Sequence, residues 1–211
     1  VRTPLSLDRY LTFIDAIVAI AVTLLILPLV EMTSNLTSDE PFSEFVLSTE
    51  AITKYGSFVL SFVVIFRFWR VHHRLLEPIE SYDSVLVGIT MVWAMTIVFL
   101  PYPTALIEIY DTDPGARGLY LVTLVISSGC LTALSAYLAR RPALFKEGAD
   151  VEAYGDRIVP SAVSTFLLVA ISLIAVVVKQ INWGALLLLL LTGVLTRLVN
   201  RWRHRRTNAS G

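Results

Sequence analysis

The sequence predicts an all-α membrane protein with six transmembrane helices. Three observations carry that prediction. First, the 211 residues are 55% hydrophobic, with a mean hydropathy of +0.70. Second, charged residues make up only 16% and gather between the apolar runs rather than inside them. Third, six runs approach the about 20 mostly apolar residues that a spanning helix needs, at 9–31, 52–75, 84–108, 118–139, 158–178 and 183–200. No segment shows the alternation of an outer-membrane barrel strand. Together the runs form a single six-span unit over residues 1–206, followed by a short tail at 207–211.

Span one reads Arg9-Tyr10-Leu11-Thr12-Phe13-Ile14-Asp15, then continues from Ala16 to Val30 without another charge. Asp15 lies about 9 Å along the helix from Arg9, at 1.5 Å per residue. A carboxylate at that depth is costly, so it needs a job and a partner. The run is long, bears Asp15 and lacks a small-residue cleavage site, so it reads as a retained span rather than a signal. The 33–49 connection is long enough for a short helix. Span two closes on Phe66-Arg67-Phe68-Trp69-Arg70-Val71-His72-His73-Arg74-Leu75. In span three, Pro101 and Pro103 remove backbone donors and kink or end the helix. Ser127-Ser128-Gly129-Cys130 in span four suits close helix packing. Pro160 falls in the first turn of span five, where proline is tolerated. The Lys179-Gln180-Ile181-Asn182 turn leads into span six.

Basic residues set the orientation. Arg2, Arg9, Arg67, Arg70, Arg74, Arg140, Arg141, Lys146, Arg157 and the Arg197 to Arg206 tail fall on one side. Lys54, Arg117 and Lys179 fall on the other, among Asp39, Glu40, Glu44, Glu50, Glu108, Asp111 and Asp113. Both termini are therefore expected in the cytosol, and the acidic loops outside. Such loops would concentrate cations, although exposed charges are screened over about 8 Å in physiological salt.

The motifs of catalysis are missing. There is no phosphate-binding glycine loop, no His-Glu-x-x-His and no Gly-x-Ser-x-Gly, so an enzyme is not expected. Cys130 is the single cysteine, which excludes a disulfide or a zinc framework within the chain. His72 and His73 point about 100° apart on a helix and lack a nearby third ligand, so no metal site is expected. The basic tail follows a span directly and reads as an orientation signal, not a nucleic-acid contact. The Phe13-x-Asp15 pattern does not recur, so no internal repeat is visible. The filter sequence Thr-Val-Gly-Tyr-Gly is absent.

Three motifs in order resemble the transmembrane protein 175 family of potassium channels. Arg9, Phe13 and Asp15 fall on the family's Arg, three residues, Phe-Ser-Asp pattern, with Ile14 in place of the Ser. Trp69-x-x-His72-His73-Arg74-Leu75 is similar to its Trp-x-x-His-His-Arg-Leu signature. Leu100-Pro101-Tyr102-Pro103-Thr104 is similar to its Leu-Pro-Phe-Pro-Thr. Asp83 stands where the family has Asn. The likeness covers spans one to three; the last three agree only in hydropathy and number. It implies that single six-helix units assemble as homotetramers, whereas the animal proteins carry two units and dimerise. It also implies a pore lined by the first helix, without a looped carbonyl filter. The family's constriction is a branched aliphatic five residues after the Asp, which is Ile20 here. Its hydroxyl layer lies eight residues after the Asp, at Thr23.

At 100° per residue, Ala16, Ile20, Thr23, Leu24 and Leu27 share one helix face, while Asp15, Val18, Val22, Leu25 and Leu29 lie on the far side. With the first face on a pore, Ile20, Thr23, Leu24 and Leu27 form its narrow part. A ring of isoleucines offers no oxygen to replace ion hydration; it gates by dewetting and sieves by size. Potassium sheds water more readily than sodium, so a moderate potassium preference is expected. Asp15 would then meet another helix, in a cytosolic-side network of Arg9, Asp15, Trp69 and either His72 or His73, the Trp69 indole donating. The histidines would lend gating a sensitivity to cytosolic pH. Interfacial anchoring is the plainer reading of the same residues. The expected protein is thus a potassium-permeable cation channel of a prokaryotic cell membrane. Its partners are the lipid bilayer, permeant monovalent cations and three further copies of itself, with no cofactor beyond the permeant potassium. The alternatives are a proton-coupled secondary transporter using Asp15 and a proton-leak channel.

Overall fold

A computed structural model of the chain describes residues 4–34, 41–110 and 113–149. Spans five and six and the tail lie outside the described residues. The elements in order are α1 (Pro4–Leu24), α2 (Leu27–Thr33), α3 (Phe42–Val46), α4 (Thr49–Leu76), α5 (Ser84–Phe99), α6 (Pro101–Ile109) and α7 (Pro114–Ala139), then a 3₁₀ turn, Pro142–Leu144. Among the described residues these make four apolar stretches long enough to cross a membrane: Leu7–Thr33, Thr49–Leu76, Ser84–Ile109 and Pro114–Ala139.

Caps decide where three of the spans begin. Ser48 is extended at φ −60° and ψ 148°, and its hydroxyl accepts from the Ala51 N–H at 3.1 Å. Asp113 accepts from the Gly115 and Ala116 N–H groups at 2.6 and 3.2 Å, with Pro114 pre-set for the first turn. Asp83 accepts from the Leu86 N–H at 3.0 Å and also from the Tyr137 hydroxyl of α7. Burial raises the Asp83 carboxyl, but the Tyr137 and backbone hydrogen bonds and the nearby Arg141 guanidinium together hold it below its ordinary value of 3.8.

Prolines divide two of the spans. Pro28 cannot donate to the Leu24 carbonyl, and α1 gives way to a turn at Leu25 and Ile26 before α2 resumes. There the Leu25 and Ile26 N–H groups fall back to the carbonyls three residues behind, Val22 and Thr23, at 3.3 and 3.4 Å. The continuous run read from the sequence is therefore two helices. Pro101 and Pro103 likewise separate α5 from α6, as expected of them, although Leu100 keeps helical dihedrals at φ −55° and ψ −38°. The Leu100 carbonyl is doubly satisfied: the Thr104 N–H reaches it at 3.2 Å and the Thr104 hydroxyl at 2.8 Å.

Among the described residues α5 packs against both α7 and α1, and α7 in turn meets α4 and α6. Leu86, Thr90, Trp93, Ala94 and Ile97 recur at helical spacing and are buried, while Val85, Val92, Met95 and Val98 on the other side are exposed. Lipid is as apolar as leucine, so packing and interhelical hydrogen bonds must hold such helices together. Hydroxyls supply several of those bonds. Ser127 of α7 meets Thr96 of α5, whose own hydrogen goes to the Trp93 carbonyl at 2.6 Å. Ser61 of α4 meets Thr104 of α6 at 2.9 Å. Ser57, also on α4, donates to the Glu108 carboxylate of α6. At the opposite end the 77–83 and 142–149 segments are clasped by backbone bonds, with the Glu80 N–H on the Leu144 carbonyl at 2.8 Å and the Lys146 N–H on Pro78 at 3.0 Å. Gly148 closes this segment in the left-handed region at φ 80°.

Asp83→Ala is expected to lower stability in detergent by about 1 kcal/mol, the usual cost of an aspartate cap, whereas Asp83→Asn keeps the cap and loses less. The Asp83 carboxyl is depressed in the folded chain, so its contribution is complete above its ordinary value of 3.8 and fades as pH falls through the lower folded value. Thermal unfolding curves of the wild type and Asp83→Asn should accordingly converge at acid pH.

Candidate functional site

The first span presents two unlike faces to its surroundings. One stripe, Ile14, Val18, Ala21, Leu25 and Met32, is buried in the bundle. Its spacing of four, three and four residues continues across the turn at Leu25 and Ile26, so α2 carries on the rotation of α1. The opposite stripe is exposed and includes Ala16, Ile20, Thr23, Leu24, Leu27 and Val30. Ile20 is 61% exposed, against 0% for Ile14. Each residue named from the sequence as facing a pore thus stands on the open face. Thr23 is the one hydroxyl among the four narrow-part candidates. It donates to the Ile20 carbonyl at 2.7 Å, which leaves its oxygen lone pairs toward the open side.

Ile14, where the resemblance has a serine, is packed into the core cluster beside the other buried residues of α1. An apolar side chain suits that environment better than a hydroxyl lacking a partner.

On the bundle side, the Trp69 indole N–H donates to Asp15 Oδ1 at 2.8 Å and ties α1 to α4. The same ring contacts Phe66 and His73, each with centroids 5.5 Å apart. His72 turns away from this cluster. It is 2% exposed and stacks on Trp93 of α5, with ring centroids 4.2 Å apart and planes 2° from parallel. Arg9 is exposed and makes no ion pair with Asp15 among the described residues. The helix explains this: six residues at 100° each put the two side chains about 120° apart, with about 9 Å of rise between them. Within the chain the Asp15 contact is therefore made by Trp69, with His73 beside the indole and His72 on another helix's ring.

Sequence reasoning did not single out Trp93. A lone aromatic in an apolar run carries no signal to separate it from ordinary core, and only its stacking on His72 distinguishes it. Near it lie further buried polar atoms: Tyr10 Oη and Thr90 Oγ1, which face each other, besides His72 Nε2 and Trp93 Nε1, which have no hydrogen-bond partner among the described residues. Tyr10 in turn stacks on Tyr82 at 5.3 Å. The end of the bundle holding Asp15 is thus rich in aromatic rings and polar atoms. The far end carries Glu31, Glu50 and Glu108.

Trp69→Phe keeps the ring and deletes the donor. It is expected to cost about 1 kcal/mol in detergent, the low end of the range for leaving an acceptor unpaired, because Asp15 is half-buried. Trp69→Phe combined with Asp15→Ala should cost less than the sum of the two, as a double-mutant cycle would show.

Comparison with known proteins bears on the same region. Residues 9–101 match the family model described as "Endosomal/lysosomal potassium channel TMEM175". The chain is 30% identical over 129 residues to the human endosomal/lysosomal proton channel TMEM175, covering 60% of this chain and 24% of that protein. It spans about a quarter of the length of the curated vertebrate relatives it matches. A potassium channel of Streptomyces collinus is 28% identical over 149 residues, covering 69% of this chain and 70% of that one. In fold, the chain is similar to the crystal structure of a lysosomal potassium-selective channel TMEM175 homolog from Chamaesiphon minutus. The TM-score is 0.69 at 20% identity, covering 90% of this chain and 97% of that one. The resemblance read from the first three spans is thus matched over residues 9–101, where the chain is similar to the transmembrane protein 175 channels, and its fold is similar to that of a solved homolog.

Proposed function

We propose that the protein is a potassium-permeable cation channel whose pore is lined by the exposed stripe of α1, contributed by each of four copies. The observation that carries this reading is the stripe itself. From Ala16 to Val30 it is apolar but for Thr23 in its middle, unbroken across the Leu25 and Ile26 turn, and opposite a stripe committed to the chain's own core. Ile20 forms the constriction, with Thr23 as an acceptor layer above it and Leu24 and Leu27 beyond. A dry isoleucine ring passes an ion only when the ion gives up part of its water, which favours potassium over sodium moderately. The potassium-channel names of the bacterial relatives support the permeant ion.

The Asp15 end faces the cytosol in this reading. Arg9, Arg67, Arg70, Arg74, Arg140, Arg141 and Lys146 gather at that end, and Lys54 and Arg117 at the other. The Trp69 bond to Asp15 fixes the rotation of α1 and so the direction in which Ile20 points.

A second reading is favoured by the names of the vertebrate relatives, which are called proton channels. Protons would use the same α1-lined path once it is wetted. A transporter using Asp15 is disfavoured, because Asp15 stands away from the open face and is held by Trp69.

Ile20→Asn is expected to wet the constriction. In liposomes it should raise cation flux and lower the potassium-to-sodium ratio severalfold. Unchanged permeation would move the constriction to Leu24 or Leu27, and flux that saturates and demands a proton gradient would replace the channel by a transporter.

A further inference from the structure

Glu31 stands on the open face of the first span. The exposed stripe runs Ile20, Thr23, Leu27, then Val30 and Glu31, at the same alternation of three and four residues that keeps Ile14, Val18, Ala21, Leu25 and Met32 buried behind it. Met32 is the next residue and faces the core, which fixes the rotation of α2. From Ile20 to Glu31 the helix rises about 16 Å, at 1.5 Å per residue. The Glu31 carboxylate has no ion pair or side-chain hydrogen bond among the described residues; the Ser34 hydroxyl bonds to its main-chain oxygen instead. Lys54, on the same end of the bundle, is already engaged by Glu50 at 3.0 Å. Among the described residues, a carboxylate without a partner is therefore carried on a face of the first span that the bundle does not cover. Set against lipid it would be costly; set against water at a pore entrance it is cheap.

We propose that Glu31 is the outer electrostatic ring of the channel, four carboxylates that draw monovalent cations toward the Ile20 constriction. This rests on the α1-lined pore proposed above. The ring holds no ion tightly and does not choose between potassium and sodium. It raises the local cation concentration and so sets throughput, while Ile20 sets the preference. Rings of Asp or Glu act in this way because field lines are focused in a narrow low-dielectric mouth.

The test uses salt. Potassium and sodium flux would be measured in liposomes for the wild type, Glu31→Gln, Glu31→Asp and Ile20→Asn, at about 0.01 M and about 1 M ionic strength, where the screening length falls from about 30 Å to about 3 Å. Glu31→Gln is expected to lose about threefold or more of the potassium flux at low salt and to match the wild type at high salt, with the potassium-to-sodium ratio unchanged. Glu31→Asp should retain wild-type flux at both. Equal flux of Glu31→Gln and wild type at low salt overturns the ring. So does an equal loss at both salts, which would mark Glu31 as structural. If Ile20→Asn alters permeation while Glu31→Gln does not, only the ring fails. If neither alters it, the α1 pore fails as well.

Discussion

The rotation of one helix governs what this bundle offers to its surroundings. The first span is apolar nearly all round, so hydrophobicity alone does not say which side belongs inside. The bond from the Trp69 indole to Asp15, at 2.8 Å, does. A carboxylate within the span needs a donor, and the donor sits on α4. Once Asp15 is held there, the helix period carries Ile14, Val18 and Ala21 into the core and leaves Ile20 and Thr23 outward. The replacement of a serine by Ile14 strengthens the same choice by packing. A shift of one residue in that contact would turn the whole stripe by about 100°.

Prolines impose the second constraint. In a membrane interior an unpaired carbonyl finds no water, so each break must be repaired locally. The two breaks are repaired differently. Around Pro28 the chain tightens to bonds reaching three residues back, and the face is preserved through the turn. Around Pro101 and Pro103 the Thr104 hydroxyl returns to the Leu100 carbonyl, and Ser61 of α4 holds that hydroxyl in place. The Ile97 carbonyl, which Pro101 cannot serve, is reached by the Leu100 N–H at 3.3 Å, while the threonine adds a second bond to the Leu100 carbonyl and a tie to α4.

Much of the fold was legible in the sequence. The first four spans begin and end within a few residues of the apolar runs, because burial of about 20 apolar residues leaves little freedom. Asp15 was legible because a lone carboxylate in such a run stands out, and Trp69 because the motif places a donor at matching depth. The break at Leu25 and Ile26 was signalled by Pro28, but a proline near the end of a long run reads equally as a permitted terminal position. The place of His72 was not legible: His72 and His73 are adjacent, and only the position of α5 decides that the first stacks on Trp93. The face on which Glu31 stands was not legible either, because it depends on which way α2 turns after the break. Spans five and six fall outside the described residues.

The hydroxyl seam between α4 and α6 has a polarity of its own. Thr104 spends its hydrogen on the Leu100 carbonyl, so Ser61 must be the donor in the pair at 2.9 Å. The row therefore runs one way and ends on a peptide oxygen. A relay that passes hydrogen ions needs every member to accept on one side, release on the other, and then turn round. This row ends on a fixed acceptor, so its work is to fasten α4 to α6.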